Sequence, residues 1–406
     1  MTRMKRDVAV VGGGLAGYAA AIGLADAGFD TVLVAPRSER ADGRTTALLG
    51  RSVALLADLG VLDVLKDKGE PMEVMRLVDD TRRLFKAPTV EFAAAEVDLL
   101  AFGYNITNED LLEGLRARAA SLADRLEIID AAATAVSFEA ERVTVTLDNG
   151  DSYSAALAVA ADGRHSMIRD AAGIAVRRWA YPQAAVVMNI AHTLPHGRIS
   201  TEFHRRPGPL AQVPLPGMRS GIVFVEEPQL AERYAAMPRE RLARIVEDAM
   251  HSLVGAVEID GPVQRYPLSG ATATRFAGDR VALVGETAHI FPPIGAQGFN
   301  LSLRDVESLI RAVSDSRDDP GSRSVLARYE AARRGDVVSR TAGVHVLNRS
   351  LLADFLPVQV GRTLGLSALA AIAPLRRFAV REGLSPGAGL LGLPRSVRER
   401  IGWEHA

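Results

Sequence analysis

The spacing of hydrophobic residues predicts a strand–helix–strand unit at the start of the chain. Residues 7–11 (DVAVV) form a short apolar run that is typical of a buried strand. A helical pattern covers Tyr18–Ala27, and Gly28 follows it as a helix-terminating residue. A second apolar run, Thr31–Ala35, completes the unit. This order is the setting in which glycine loops bind dinucleotides.

The pattern further along predicts more helices and strands, and it changes near residue 180. Predicted helices cover Thr45–Leu59 and Asn108–Ala120, and predicted strands cover Leu126–Ile129, Arg142–Leu147 and Tyr153–Ala161. From about 180 to 275, proline and glycine separate short β runs, with one helix near 239–251; the β runs are 184–191, 199–203, 221–225 and 264–268. Residues 281–284 are typical of a buried strand, and the chain to about 380 is mostly helical.

These patterns predict an α/β protein whose chain divides into four segments. Residues 1–178 form the first part of a Rossmann-like domain, and residues 276–345 return to complete it. Residues 179–275 form an inserted antiparallel β-sheet domain, and residues 346–406 form a helical C-terminal region.

Composition and charge narrow the classes of function. Hydrophobic residues make up 48% of the 406 residues, which is enough for a sizeable core. The formal net charge of −1 argues against a nucleic-acid partner bound by electrostatics. The chain contains no cysteine, which excludes disulfides, thiolate metal sites and cysteine-ligated iron–sulfur clusters. Redox chemistry would therefore need a bound organic cofactor or a non-thiolate metal.

The apolar runs predict a cytoplasmic protein. The first strand begins too early to leave room for a signal peptide. The run Leu364–Leu375 is the most membrane-like, but it is too short to span a bilayer and contains Pro374. The stretch Leu351–Leu375, followed by Arg376 and Arg377, leaves open a peripheral contact with the inner face of the membrane. Ordinary packing of a C-terminal helix is an equal alternative.

Gly12, Gly14 and Gly17 form a GxGxxG loop between the first strand and its helix. Gly12 permits the tight turn, Gly14 lets a pyrophosphate approach the backbone, and Gly17 lets the helix pack closely on the strand. The helix then offers backbone amides and a positive dipole end to phosphates. The same spelling at Gly387–Gly392 follows Ser-Pro rather than a β run, so we interpret it as a loop. The sequence therefore predicts one dinucleotide site.

A second segment with few side chains follows the strand at 281–284. Gly285–Glu286 leaves the strand, and Pro292–Gly298 contains two prolines and two glycines before an amphipathic helix begins. Prolines keep the backbone extended and glycines remove side chains, so a flat ligand can rest against it. The helix that follows directs the positive end of its dipole at such a ligand.

Three separated stretches carry a shared pattern: VAVVGGGLAGYAAAIGLADAG (8–28), ADGRHSMIR (161–169), and GETAH followed by FPPIGAQGFN (285–300). Together they resemble the single-component FAD-dependent aromatic hydroxylases. Three shorter runs are similar to the ubiquinone-biosynthesis hydroxylases within that family: DGRTTAL (42–48), residues 103–115 and YEAARR (329–334). The resemblance implies an FAD-binding Rossmann-like domain of the GR2, aromatic-hydroxylase type, with the inserted β-sheet as the substrate domain.

The resemblance also implies which residues contact FAD. The first glycine loop would hold the ADP half, Arg44 the pyrophosphate and Asn108 the flavin, and the DG motif at 162–163 would serve both FAD and NAD(P)H. The Gly285–Glu286 turn would fix the ribityl chain, and residues 292–298 would lie edge-on to the isoalloxazine. The complete set of predicted cofactor-binding residues is Gly12, Gly14, Leu15, Ala16, Gly17, Arg44, Asn108, Asp162, Gly163, Gly285, Glu286, Pro293, Gly295, Gln297, Gly298, Phe299 and Asn300.

Two positions depart from the family pattern. The second strand ends at Ala35, where such domains usually carry an acidic residue for the ribose hydroxyls. The basic run 37–40 (RSER) would suit a 2′-phosphate and so an NADP dehydrogenase, but that alternative leaves the Gly285–Gly298 segment without a purpose. Glu39 or a backbone group is left as the ribose contact. Glu286 stands where the broader family commonly has aspartate, which shifts the reach of the carboxylate.

The expected function is that of a flavin monooxygenase. NADH or NADPH would reduce FAD, O₂ would add at flavin C4a, and the hydroperoxide would transfer one oxygen atom to an aromatic ring. The implied substrate is a prenylated phenol of the ubiquinone pathway, and contact with a biosynthetic complex or oligomerisation stays open. The catalytic base is unknown, and no metal is expected because His289 has no partner at metal-ligand spacing. The rival hypotheses are a flavin reductase or dehydrogenase on a prenylated substrate, and a non-catalytic scaffold.

Overall fold

A computed structural model describes residues 3–37, 42–65, 67–81, 86–292, 297–352 and 365–384. The strands are β1 (Arg3–Val11), β2 (Thr31–Val34), β3 (Thr45–Leu49), β4 (Glu70–Pro71), β5 (Val74–Asp79), β6 (Val90–Ala93), β7 (Gly103–Thr107), β8 (Leu126–Ile129), β9 (Ala133–Phe138), β10 (Val143–Leu147), β11 (Ser152–Ala160), β12 (Val176–His192), β13 (Ile199–His204), β14 (Leu210–Leu215), β15 (Arg219–Glu226), β16 (Val257–Ala273), β17 (Ala277–Gly278), β18 (Val281–Leu283) and β19 (His289–Ile290).

The helices alternate with these strands and dominate the last part of the described chain. They are α1 (Leu15–Asp26), α2 (Gly50–Asp58), α3 (Asn108–Ala120), α4 (Met167–Ala171), α5 (Pro228–Ala235), α6 (Arg239–Ala249), α7 (Gln297–Ser314), α8 (Arg323–Leu352) and a C-terminal helix (Ala373–Leu384). Residues 365–371 are also helical. None of the described helices combines the length and the apolarity that crossing a bilayer requires.

The first sheet confirms the predicted strand–helix–strand unit at the start of the chain. Six of its eight strands lie in the order β17–β18–β11–β1–β2–β8, and the five from β18 to β8 are parallel. The other two extend the sheet from β11, because β10 pairs antiparallel with β11 and with β9. All four residues of β2 are buried, as expected for a strand covered on both faces. The small residues Ala19–Ala21 are fully buried, so α1 packs closely on the sheet. At Gly23 an added Cβ would lie 2.2 Å from Ile310 Cδ1, so this glycine lets α7 approach α1.

The prediction of one continuous helix over Thr45–Leu59 is wrong in its first third. Thr45–Leu49 is a strand that pairs antiparallel with Gly103–Thr107, and the helix begins only at Gly50. Two β-branched threonines open the segment, and the pairing with a distant strand outweighs its local helical pattern. Together with β4, these strands form a three-stranded sheet.

The second sheet confirms the predicted antiparallel sheet in the middle of the chain, with three differences. Its order is β19–β16–β12–β15–β14–β13–β5–β6. The pair β13–β5 is parallel, and β5 and β6 come from residues 74–93 rather than from the middle segment. The short β runs predicted at 184–191 and 264–268 are parts of two strands of 17 residues each. The division of the chain into four domains stays a prediction.

The two faces of the second sheet have different partners. One face carries an apolar cluster that includes Met188, Ile222 and Phe224 and packs under α5 and α6. The opposite face meets β3 and the residues just before it, because Gln264 Oε1 accepts a hydrogen bond of 2.9 Å from the Gly43 amide. At Gly221 an added Cβ would lie 2.8 Å from the hydroxyl oxygen of Thr45, which shows how closely this face approaches β3.

Candidate functional site

Two glycines of the first loop are required by the protein's own packing. Gly12 has φ of +129°, and a Cβ there would lie 2.1 Å from the Ala161 carbonyl oxygen. A Cβ on Gly17 would lie 1.8 Å from the Gly12 carbonyl oxygen. At Gly14, by contrast, an added Cβ would meet no atom within 4 Å. This residue is the N-cap of α1 and makes no side-chain capping bond, so the start of the helix offers its amides to an open space.

The turn after β18 lies directly against this loop. Gly285 has φ of +68°, and a Cβ there would lie 3.1 Å from Ala16 Cβ and 3.3 Å from the Ser302 hydroxyl oxygen. The turn therefore sits between the start of α1 and the first turns of α7. A Cβ on Gly298, in the first turn of α7, would meet nothing within 4 Å. Two segments that are more than 250 residues apart in sequence thus form one bare-backboned surface.

Arg44 takes part in a partly buried ionic contact near this surface. Its Nε and Nη2 each donate a hydrogen bond of 2.7 Å to the Asp42 carboxylate, and its guanidinium lies 5.4 Å from the Tyr266 ring centroid. The bonds to Asp42 raise the pKa of Arg44 above its usual value. Burial raises the pKa of Asp42, but the hydrogen bonds and charge of Arg44 outweigh burial and bring it below its ordinary value. Both side chains are therefore charged at neutral pH.

Asn108 is tied into the same contact. Its Nδ2 donates to Asp42 at 3.0 Å, and its Oδ1 accepts from the Thr46 hydroxyl at 2.6 Å. Its own amide donates to the Arg44 carbonyl oxygen at 2.9 Å. The structure thus brings Arg44 and Asn108 together, as a preformed polar group at the start of α3.

The DG motif lies beside the Gly285 turn. The Gly163 amide donates to the Thr287 hydroxyl at 3.1 Å, and the Thr287 hydroxyl lies 3.4 Å from the Asp162 carboxylate. Gly163 has φ of +83° with open space at its Cβ position. Arg169, which is only 1% exposed, donates to the Thr287 carbonyl oxygen at 3.2 Å. The motif and Arg169 therefore hold the turn through Thr287.

Glu286 pairs with the DG motif. Its carboxylate lies 3.3 Å from Arg164 Nη2, and both side chains are close to half exposed. An exposed pair of this kind contributes little to folding stability. The longer side chain at this position is thus directed at Arg164.

The other predicted site residues fall into three groups: residues at helix starts, residues that contact the rest of the protein, and residues that the structure does not describe. Leu15 and Ala16 begin α1, and Gln297 begins α7. Phe299 packs against the first hydrophobic core, and the Asn300 side chain pairs with the backbone of β3, accepting from the Leu49 amide and donating to the Ala47 carbonyl. Pro293 and Gly295 lie outside the described residues, as does the run from Ser38 to Arg40 with its ribose-contact candidate Glu39.

Three residues near the site were missed by the sequence predictions. Asp42 and Tyr266 flank Arg44, and Asp305 accepts the amide hydrogen of Gly285. Asp42 stands in the DGR run but carries no motif of its own. Asp305 did carry a signal, because it lies four residues from both Leu301 and Leu309 on the buried stripe of α7. A carboxylate on an apolar helix face is rarely buried without partners.

The geometry fits an elongated dinucleotide that ends in a flat ring. Open backbone at Gly14, Gly163 and Gly298 leaves room along the surface, and the starts of α1 and α7 supply amides and positive dipole ends for negative charge. No acidic residue occurs in the first turn of either helix. The fold and the site define a protein of the FAD-binding class, in which FAD supplies redox and oxygen chemistry when bound.

Comparison with known proteins gives the family. The model of the FAD binding domain family matches residues 5–342. The chain is 34% identical to ubiquinone hydroxylase UbiL of Rhodospirillum rubrum over 387 residues, which are 93% of this chain and 89% of that protein. It is 28% identical to 3-demethoxyubiquinol 3-hydroxylase of Escherichia coli over 400 residues, 95% of this chain and 100% of the other.

Solved structures share the fold. Para-nitrophenol 4-monooxygenase PnpA from Pseudomonas putida DLL-E4 superposes with a TM-score of 0.78 at 19% identity, covering 96% of this chain and 99% of that one. The chain belongs to the FAD binding domain family and is an FAD-dependent aromatic hydroxylase. The sequence-based assignment of fold class, cofactor and enzyme type is confirmed.

Proposed function

We propose that this enzyme hydroxylates the aromatic ring of a prenylated phenol of ubiquinone biosynthesis, using O₂ and NADH or NADPH. The observation that carries the proposal is the similarity to a ubiquinone hydroxylase over 93% of the chain. The E. coli relative of similar length has a name in the same pathway. An electron-rich phenol supplies its own activation, so this chemistry needs no protein nucleophile.

In this proposal the ADP half of FAD rests on the loop Gly12–Gly17, and its pyrophosphate meets Arg44. The Arg44 guanidinium is held ready by Asp42, and a forked, charged donor suits a phosphate oxygen pair. The turn Gly285–Glu286 fixes the ribityl chain. Amides at the start of α7 face the flavin edge, where they stabilise negative charge on the ring.

The second sheet offers a surface for an apolar substrate. Ala211, Val213 and Val223 lie on the face that meets β3, and all three are only partly buried. Their neighbours in the same strands, Leu210 and Ile222, point to the other face and are at most 1% exposed. We assign the ring and the first prenyl units to this half-open apolar face, with residues 179–275 as most of the substrate domain.

An isotope experiment tests the reaction type. The purified, FAD-loaded protein is supplied with NADH or NADPH, a short-chain prenylphenol and ¹⁸O₂, and the product mass is measured. A gain of one ¹⁸O atom supports the monooxygenase proposal. Reductant consumption with an unlabelled product indicates a reductase or dehydrogenase, and FAD binding without any turnover indicates a non-catalytic member.

A genetic experiment tests the pathway. Disruption of the gene in its host should cause a prenylphenol that lacks one ring hydroxyl to accumulate, and mass spectrometry would identify it. Normal quinone content with no such intermediate would contradict the substrate assignment and leave the cofactor site untouched.

We also propose that the C-terminal helix contacts a membrane surface. One side of this helix packs on the protein, since Leu384 is buried and Arg376 donates to Glu96 at 2.9 Å. The other side and its preceding residue expose Ile372 (50%), Leu375 (40%) and Phe378 (40%). Exposed Arg377 adjoins these side chains. Apolar side chains beside cations suit an anionic bilayer.

Vesicle sedimentation tests this contact. The protein should sediment with phosphatidylglycerol vesicles more than with phosphatidylcholine vesicles, because the exposed Arg377 favours anionic lipid. Leu375→Ser with Phe378→Ser should reduce binding at least tenfold, since burial of each large apolar side chain is worth about 1.5–3 kcal/mol. Unchanged binding of the double variant would refute the assignment.

A further inference from the structure

A buried carboxylate on α7 connects the cofactor turn to two helices. Asp305 lies about two turns from the start of α7 and is 0% exposed. Its Oδ2 accepts a hydrogen bond of 2.9 Å from the Gly285 amide and one of 2.7 Å from His289 Nε2. Its Oδ1 accepts from Arg333 Nε at 2.7 Å. Each oxygen of a fully buried carboxylate is thus satisfied, as its burial requires.

The three partners hold the turn in one place. Gly285 sits in the left-handed region at φ of +68° and leaves only 3.1 Å between its Cβ position and Ala16. Asp305 accepts a hydrogen bond from the amide of this same Gly285, and it also binds His289, four residues further along the chain. A shift of Asp305 would therefore move the turn relative to the start of α1 and to α7 together.

Helix α8 supports the arrangement from behind. Arg333 is 2% exposed and also donates to Asp336 at 2.8 Å. Burial lowers the pKa of Arg333, but the charge of Asp305 and its other neighbours raise it above the usual value, so the guanidinium stays charged. Tyr329 donates to the Leu283 carbonyl oxygen at 2.6 Å, which anchors α8 to the last residue of β18, two positions before the turn.

We propose that Asp305, with Arg333 as its counter-ion, is a positioning residue for the flavin. It acts through the Gly285 turn and does not touch the cofactor itself. By fixing that turn between the starts of α1 and α7, it sets how tightly FAD binds and how the ring environment is arranged. The proposal rests on the proposed contact between the Gly285 turn and the ribityl chain.

The test uses Asp305→Asn and a matched control, Glu330→Gln. Asparagine keeps the shape but can no longer accept three hydrogen bonds, so the dissociation constant for FAD should rise at least tenfold and the visible spectrum of bound flavin should move toward that of free FAD. Glu330 is also a carboxylate facing backbone amides and an arginine, since it accepts from the Ala277 amide at 3.1 Å and pairs with Arg334. Glu330→Gln should lower thermal stability but leave FAD affinity and the flavin spectrum unchanged.

A second variant separates positioning from plain stability. Asp305→Leu combined with Arg333→Met removes the buried carboxylate and its counter-ion together, so it should recover thermal stability relative to Asp305→Asn. The FAD defect should persist, because leucine offers no acceptor to the Gly285 amide. Wild-type affinity and spectrum in Asp305→Asn, equal weakening in Glu330→Gln, or full recovery of FAD binding in the double variant would each overturn the proposal. These readouts need no substrate, so they stand even if the chain hydroxylates no prenylphenol.

Discussion

Replacing Gly14 by alanine should weaken FAD binding while leaving the fold almost intact. The residue has φ of −84° and ψ of 177°, which alanine adopts without strain, and an added Cβ would meet no atom within 4 Å. The apo-protein should therefore lose no more than about 1 kcal/mol, the usual cost of alanine at an N-cap. The methyl group would stand in the space that the cofactor phosphates need.

The expected loss of affinity follows from the size of that intrusion. Forcing one extra methyl group into a closely packed contact costs about 1–3 kcal/mol. Since each 1.4 kcal/mol is a factor of ten, the dissociation constant for FAD should rise roughly fivefold to hundredfold. The gain in melting temperature on adding FAD should shrink accordingly, because ligand stabilisation depends on the ratio of ligand concentration to dissociation constant.

Fluorescence titration of apo-protein with FAD, together with urea unfolding of the apo form, gives both quantities. Gly335→Ala is the matched control, because it adds the same methyl group to an open position on the exposed side of α8. It should leave FAD affinity unchanged and stabilise the helix by up to about 1 kcal/mol. If Gly14→Ala bound FAD as the wild type does, the phosphates would not lie on this loop.

Three further changes have definite expected outcomes. Gly17→Ala should destabilise the apo-protein by about 3 kcal/mol in urea unfolding, because its Cβ would lie 1.8 Å from a backbone oxygen; a loss under 1 kcal/mol would contradict the packing argument. The pKa of Asp42 is lowered, so its contribution to stability is present above its unfolded pKa of about 4 and is lost as the pH falls through the lower folded value. Asp42→Asn should therefore flatten the acid side of the stability–pH curve, and an unchanged curve would refute the pairing with Arg44. Burial and the nearby Glu127 raise the pKa of Tyr153 to about 12, so stability should fall between about pH 10 and 12, and Tyr153→Phe should remove this fall along with one late-titrating phenol in the absorbance titration.

The local motifs were predictable because their physics is local. The run from Asp7 to Ala35 encodes strand, glycine turn, helix and strand within a few residues of one another, and the structure has β1, α1 and β2 there. The start of α3 was equally predictable, since its signal is also local: the Thr107 side chain caps the helix by accepting a hydrogen bond from the Asp110 amide. In such segments the pattern and the tertiary environment favour the same element.

Elements that depend on partners far away in the sequence were predicted incorrectly or only in part. The sequence of Thr45–Leu49 favours a helix, but the segment is a strand because distant partners supply its hydrogen bonds. These partners are Gly103–Thr107 and the Asn300 side chain. Strand β5 joins the second sheet by pairing with β13, which lies 125 residues further along the chain, and nothing in residues 74–93 identifies that partner. Only parts of β12 and β16 were predicted as strands. The register of their pairing shifts between Ala180 and Ala184, and this irregularity interrupts the alternation of buried and exposed residues along the strands.

The glycine motif shows most clearly what a sequence can and cannot assign. The GxGxxG motif does not distinguish Gly12, Gly14 and Gly17 from one another. In the structure, the protein's own backbone occupies the space where a Cβ would lie on Gly12 and Gly17, whereas that space is open at Gly14. Gly163 and Gly298 lie outside the GxGxxG motif, yet an added Cβ on either would meet no atom within 4 Å, as at Gly14. The glycines of one motif can therefore serve either ligand binding or the packing of the fold. Only the surrounding atoms decide which glycine serves which purpose, and substitution at each one separates loss of cofactor from loss of fold.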